Sequence, residues 1–137
     1  MPIVVDASCL TAMLLNEEVP PNVEQFLNSL SDVEIVVPSL WFWEVANSSV
    51  MAARRARKPS QEIMNQLADM RHLDLTQDGE SILLAWTVTA ALAIQHRHSV
   101  YDAAYLELAV RRSLPLATLD SALARAARAA GVEVFGG

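Results

Sequence analysis

An internal disulfide is closed to this chain, because Cys9 is its only cysteine. Cys9 lies in an apolar, helix-like stretch with no histidine near it in sequence, which favours a small core residue over an activated thiol and fits a reducing cytoplasm. A basic segment followed by an apolar run is also missing from the start. Met1-Pro2-Ile3-Val4-Val5-Asp6 reaches a charge almost at once, so no secretory signal is expected and the mature chain is expected to begin near Met1. The longest apolar stretch, residues 82–94, includes Thr87 and Thr89 and falls well short of the roughly 20 residues that cross a bilayer. It is expected to be a buried helix, and no membrane partner is expected.

Positive charge is scarce as well. Ten Lys and Arg face 16 Asp and Glu, for a net charge of -6, and Lys58 is the only lysine. Such a balance lacks the broad basic footprint on which phosphate binding usually rests. The cations that exist are grouped, however: Arg54, Arg55, Arg57 and Lys58 in one run, Arg111 with Arg112, and Arg125 with Arg128. Each group reads either as a solvated helix end, where cations complement the dipole, or as a contact for substrate or partner.

The 137 residues suit one domain, 1–137, able to bury about two-thirds of the surface its unfolded form exposes. No repeat, low-complexity tract or linker divides it. Short runs of Val, Ile and Leu alternate with longer helical patterns, the mark of a parallel sheet covered on both faces. Strands are expected at 3–6, 34–37, 72–75, 115–118 and 132–135, and helices at 8–15, 21–31, 39–57, 60–70, 79–96, 101–112 and 121–130. Pro20-Pro21 marks a helix start, Pro38 a strand end and Pro59 a break between helices, while Gly131 is placed to cap the last helix.

Against this frame four acids stand out. Asp6 ends the first expected strand, and Glu44, Asp102 and Asp120 lie beside apolar segments farther on. Open α/β sheets bind ligands beyond the carboxyl ends of their strands, so these carboxylates are candidates to converge there on a divalent cation. Two carboxylates about 4 Å apart repel by roughly 4 kcal/mol at a surface-like dielectric, which a cation or a shared proton relieves. Taken singly, each has a plainer role: Asp6 and Asp120 as N-caps, Ser99 and Asp102 as a capping box, Glu44 as an exposed helix residue. The neighbours tell against that for Glu44 in Leu40-Trp41-Phe42-Trp43-Glu44-Val45-Ala46 and for Asp102 in Val100-Tyr101-Asp102-Ala103-Ala104-Tyr105-Leu106, where each charge interrupts a stretch expected to be largely buried. Asn47 shares a helical face with Glu44 and is a candidate supporting polar group, as are Ser8 and Thr118; Ser8 could equally cap a helix and Thr118 simply favour a strand. His72, His96 and His98 fall in no carboxylate motif and read as surface or helix-end residues.

The segments Ile3-Val4-Val5-Asp6-Ala7-Ser8, Glu44-Val45-Ala46-Asn47, Tyr101-Asp102-Ala103-Ala104-Tyr105-Leu106-Glu107-Leu108-Ala109 and Leu116-Ala117-Thr118-Leu119-Asp120, in this order over nearly the whole chain, resemble those of PIN-domain ribonucleases, most closely VapC toxins of toxin and antitoxin pairs. The resemblance implies a three-layer α/β/α sandwich around a parallel sheet of about five strands. It implies Mg²⁺, with Mn²⁺ able to substitute, held by Asp6, Glu44, Asp102 and Asp120 as catalytic and metal-binding residues, and RNA such as tRNA or rRNA as substrate. It also implies a cytoplasmic homodimer neutralised by a VapB-type antitoxin in a hetero-oligomer that meets DNA only through the antitoxin. Where some members carry a further acid shortly after the position of Asp120, Ser121, Ala122, Leu123 and Ala124 follow here, which leaves one well-held ion as the expectation and a second as transient.

Hydrolysis by metal-activated water then needs no side-chain nucleophile. Two other readings stand beside it. Asp6 at a strand end also suits a phosphoryl-accepting aspartate, but Ser8 occupies the place where one such family has a second Asp, and no late lysine serves the other. The remaining alternative is a catalytically silent PIN-like module that binds RNA or protein, with Trp41, Trp43, Met51 and Trp86 as its surface, though aromatics at helical spacing are more often core.

Overall fold

The computed structural model describes residues 2–14 and 21–136; the last residue of the expected first helix, and Pro20, lie outside them. β1 (Ile3–Val5) leads into α1 (Ala7–Leu14). After α2 (Pro21–Ser29) and a 3₁₀ turn come β2 (Ile35–Val37), α3 (Leu40–Ala56) and α4 (Ser60–Asp69). β3 (Leu75–Gln77) is followed by an irregular helical stretch that ends in α5 (Ala90–His96) and by α6 (Val100–Arg112). β4 (Leu116–Thr118), α7 (Ser121–Ala129) and β5 (Val134–Gly136) complete the fold.

The five strands form one parallel sheet in the order β3-β2-β1-β4-β5. β1, β2 and β4 are buried along their whole length, as the apolar runs of β1 and β2 require of central strands covered on both faces, with Thr118 the one polar residue among them. α1 packs on α3 and α3 on α4, while α6 packs on β1, β4 and α7. Right-handed crossovers place the helices that lead away from β1 toward β3 on one face and those that lead back to β4 and β5 on the other, giving three layers. Because the chain leaves β1 toward β2 and later returns to β4 on its other side, the strand order reverses between β1 and β4. The carboxyl ends of those two strands flank the natural binding crevice.

Two strands differ from expectation. β3 begins at Leu75 rather than at 72, because α4 runs on through a 3₁₀ turn, Met70–His72, and pairing with Ile35, Val36 and Val37 sets the register. Both β3 and β5 are edge strands, only partly buried, so apolar pattern marks them weakly. β5 begins at Val134 because Gly131, at φ 82°, closes α7: Gly131 N–H donates to Arg128 O and Val132 N–H to Ala127 O, which keeps Val132 in the cap.

The larger correction concerns the expected helix 79–96. It is a 3₁₀ turn (Ser81–Leu84), a π turn (Ala85–Thr89) and then α5. Nor is it a buried helix: Ile82, Leu83, Trp86 and Ile94 are 68%, 77%, 95% and 80% exposed, whereas the small residues Ser81, Thr89 and Ala93 face the body of the protein. Apolar composition predicts burial without saying against what. No helix among the described residues is long and apolar enough to cross a membrane. Cys9 is 1% exposed, as expected of a core residue, and burial, aided by the nearby charge of Asp6, pushes its thiol far above the usual range.

Candidate active site

The site is built where β1 and β4 end side by side. Asp6 follows β1, and its N–H donates to Ala117 O of β4 at 3.0 Å, so the sheet itself fixes its position. Its carboxylate is 5% exposed and held on both oxygens. Oδ1 accepts from Ser8 N–H at 3.0 Å, from Cys9 N–H at 3.4 Å and from the Ser8 hydroxyl; Oδ2 accepts from the Thr118 hydroxyl. The bonds from Ser8 and Cys9 are those of an N-cap on α1, so the structural role is real and coexists with the site.

Ser8 and Thr118 carry the connection onward. Ser8 Oγ accepts from Leu119 N–H and Thr118 Oγ1 from Asp120 N–H, each at 3.0 Å. Asp120 in turn caps α7, its Oδ1 accepting from Ala122 N–H at 2.9 Å and Leu123 N–H at 3.1 Å. Asp102 is the exception to the capping assignments. Ser99 is the cap of α6, its Oγ accepting from Asp102 N–H at 3.1 Å, and the Asp102 carboxylate makes no hydrogen bond or ion pair among the described residues.

Glu44 comes from α3 and is half-buried. Its Oε1 accepts a 2.6 Å bond from Tyr105 OH of α6, a contact that joins two layers across the end of the sheet. Sequence reading gave Tyr105 no role, although it stands three residues after Asp102 and shares its helical face. Burial raises the Glu44 carboxyl above its usual range, the Tyr105 bond pulls it down, and the charges of Asp102 and Asp6 raise it again. Asp6 is raised too, because burial outweighs the bonds from Ser8, Thr118 and Cys9. Glu44 therefore stands within electrostatic reach of both Asp102 and Asp6.

The donor set suits a hard divalent cation. Glu44 Oε2, both oxygens of Asp102 and Oδ2 of Asp120 accept no protein hydrogen bond among the described residues. No lysine or arginine pairs with these acids there either. Equally, no three His, Cys, Asp or Glu side chains among the described residues are gathered closely enough to hold an ion as they stand. A cluster of unpaired carboxylates too open for full chelation fits a divalent ion that completes its coordination with water.

Asn47 is exposed and lines, with Ser8, Thr11, Ser48 and Arg55, a cleft of about 400 Å³ beside the acids. The histidines take no part: His72 ends a 3₁₀ turn, and His96 ends α5 with its ring 6.5 Å from that of His98. Of the aromatic set, Trp41 is core while Trp43 and Trp86 are exposed. The Arg111 and Arg112 group is neither free nor at the site. Arg111 binds Asp78 at 2.6 Å, Glu107 at 2.7 Å and Glu80 at 3.3 Å, and Arg112 approaches Asp78 at 3.8 Å.

The family model for the PIN domain matches residues 3–129. Ribonuclease VapC3 of Pyrobaculum aerophilum is 32% identical over 124 residues, which are 90% of this chain and 93% of that protein. The fold matches the crystal structure of PAE2754 from Pyrobaculum aerophilum with a TM-score of 0.65 at 18% identity, covering 98% of this chain and 89% of that one. FitAcB from Neisseria gonorrhoeae matches with a TM-score of 0.55 at 18% identity, covering 98% and 96%. The last two are likenesses of fold, but the match along residues 3–129 and the relative at 32% identity carry more: the chain belongs to the PIN domain family, among its VapC-type members.

Proposed function

We propose that this chain, as one domain over 1–137, is a metal-dependent endoribonuclease, the toxin of a toxin and antitoxin pair that acts on cytoplasmic tRNA or rRNA. The observation that carries the reading is Glu44 within electrostatic reach of both Asp6 and Asp102, with no cation paired to any of the three among the described residues. A Mg²⁺ or Mn²⁺ ion bound there, by these acids and Asp120, would activate water and offset charge on a phosphate in an in-line displacement. Asp6 is the fixed member, since Ser8 and Thr118 leave its carboxylate little freedom. Glu44, whose carboxyl burial raises above its usual range, keeps Oε2 free to meet an ion or a water, while Tyr105 orients Oε1. Asn47 offers its amide to substrate oxygen one turn along α3.

The name of the VapC3 relative supports the ribonuclease activity, and the similarly folded FitAB, solved bound to a DNA fragment, supports a VapB-type antitoxin that brings the complex to DNA. The exposed strip of Ile82, Leu83, Trp86 and Ile94 supports assembly, whether as a homodimer or with the antitoxin.

The test is incubation of antitoxin-free protein with bulk tRNA and rRNA in Mg²⁺, in Mn²⁺ and in chelator, beside Asp102→Asn. Discrete cuts are expected only with metal and only from the unsubstituted chain, with thermal unfolding of the variant nearly unchanged. Intact RNA in every arm, from folded protein, would sink the proposal in favour of a silent binding module.

A further inference from the structure

The cleft beside the acids has features that the acids alone do not use. It begins at Ser8, whose hydroxyl is bonded to Asp6, and ends at Arg55, an exposed cation with no ion pair among the described residues. Thr11 lines it and carries a hydroxyl oxygen that is buried without any hydrogen-bond partner. Along α3, Asn47, Ser48, Met51 and Arg55 stand 3, 4, 7 and 11 residues after Glu44, so they form one stripe on one helical face. At 1.5 Å per residue the stripe is about 16 Å long from Glu44 to Arg55, enough for several nucleotides of single-stranded backbone. Its far end is where the scarce positive charge gathers. Arg54, Arg57 and Lys58 line a neighbouring cleft of about 380 Å³, so four of the chain's 10 cations lie between 54 and 58.

We infer that this stripe of α3 is the track for the RNA strand leading away from the scissile phosphate, with Arg55 clamping a backbone phosphate a few nucleotides along. The inference rests on the ribonuclease reading and adds to it a positioning residue and a direction for the strand. A strand laid this way meets the amide of Asn47 and the hydroxyl of Ser48 before it reaches the guanidinium. A gradient from carboxylates to cations along one face suits a polyanion whose cut phosphate is shared with a divalent ion and whose next phosphates are not.

Binding and cutting can be read separately. In an Asp102→Asn background, which keeps RNA intact, fluorescence anisotropy of a mixed-sequence single-stranded RNA would be followed against salt for Arg55 and for Arg55→Gln. The substitution is expected to weaken binding about tenfold and to lower the slope of log affinity against log salt by about 1, as loss of one phosphate contact does. Arg55→Lys should recover part of the loss, and Arg71→Gln, which lines neither cleft, should cost little. With Asp102 intact, Arg55→Gln should raise KM and spare kcat. Equal RNA binding with and without Arg55, an equal loss from Arg71→Gln, or a loss confined to antitoxin binding would each overturn the track. Absence of metal-dependent cleavage by the unsubstituted chain would instead strike the ribonuclease reading, and the anisotropy result would still decide the track.

Discussion

Tyr105 reaches the site through one hydroxyl oxygen, which donates to Glu44 Oε1 and also accepts from the Ala7 backbone beside Asp6. Its hydroxyl bond lowers the Glu44 carboxyl against the upward push of burial and of Asp102 and Asp6. Burial raises the phenol far above its usual range, and Glu44 raises it further, so Tyr105 remains a donor throughout the working pH range. Tyr105→Phe removes the downward pull, so the Glu44 carboxyl rises further and less of it is ionised at a given pH. The acid limb of the kcat/KM profile should therefore move to higher pH, with a stability loss of about 1 kcal/mol, since water can replace the donor at a half-buried carboxylate. A pH profile unchanged in shape would show that Glu44 ionisation does not govern the reaction. The capping readings of Asp6 and Asp120 were legible from sequence because a cap acts within one turn; the Tyr105 bond was not, because its partners lie 61 residues apart.

At the scale of elements, the start of the segment after β3 is fixed by charge, while Leu92 and Ala93 pack its later part against the protein and its largest apolar side chains face outward. Asp78, 8% exposed, accepts from Ser81 N–H at 2.8 Å and Ser81 Oγ at 2.7 Å, which starts the 3₁₀ turn, and Arg111 of α6 closes on it from the other side. Burial alone would raise the Asp78 carboxyl, but the bonds from Arg111 and Ser81 outweigh it and the net shift is downward. A lowered carboxyl stabilises the fold fully above the ordinary carboxylate range, and that contribution disappears as pH falls through the lowered value. Asp78→Asn should thus cost about 2 kcal/mol at neutral pH, less than the loss of a fully buried partner because Arg111 retains Glu107 and partial solvent access. Urea unfolding at pH 7 and near pH 3 checks this: the gap between variant and parent should narrow at the lower pH, and a constant gap would refute the charge-based account.

For the whole molecule the acid cluster sets a different pH dependence. Asp6 and Glu44 have raised carboxyls, so the folded state holds their protons more tightly than the unfolded chain does. Their contribution favours folding below the ordinary carboxylate range and turns against it as pH rises through the raised values. A divalent ion that binds only the folded cluster opposes this, by about 2.7 kcal/mol when present at 100 times its dissociation constant. Tm measured from pH 5 to 8 should therefore rise on adding Mn²⁺, most at the upper end, and Asp102→Asn should shrink the gain. A metal-independent Tm at every pH would separate the cluster from cation binding.

The alternation of apolar runs and helical periods, the caps at Ser99, Asp120 and Gly131, and the acids at strand ends are local properties, each complete within a turn or a strand. The sequence by itself therefore determined a parallel α/β domain with carboxylates at the carboxyl edge of the sheet. Which carboxylates feel one another was decided by the strand order β3-β2-β1-β4-β5, since only that order sets β4 beside β1 and lets Thr118 reach Asp6 across 112 residues. The same holds for the cleft that joins α1 to α3 at Thr11 and Arg55. It holds also for the outward face of residues 82–94, where hydrophobicity measures the wish to leave water but the packing of neighbouring layers decides which side chains can.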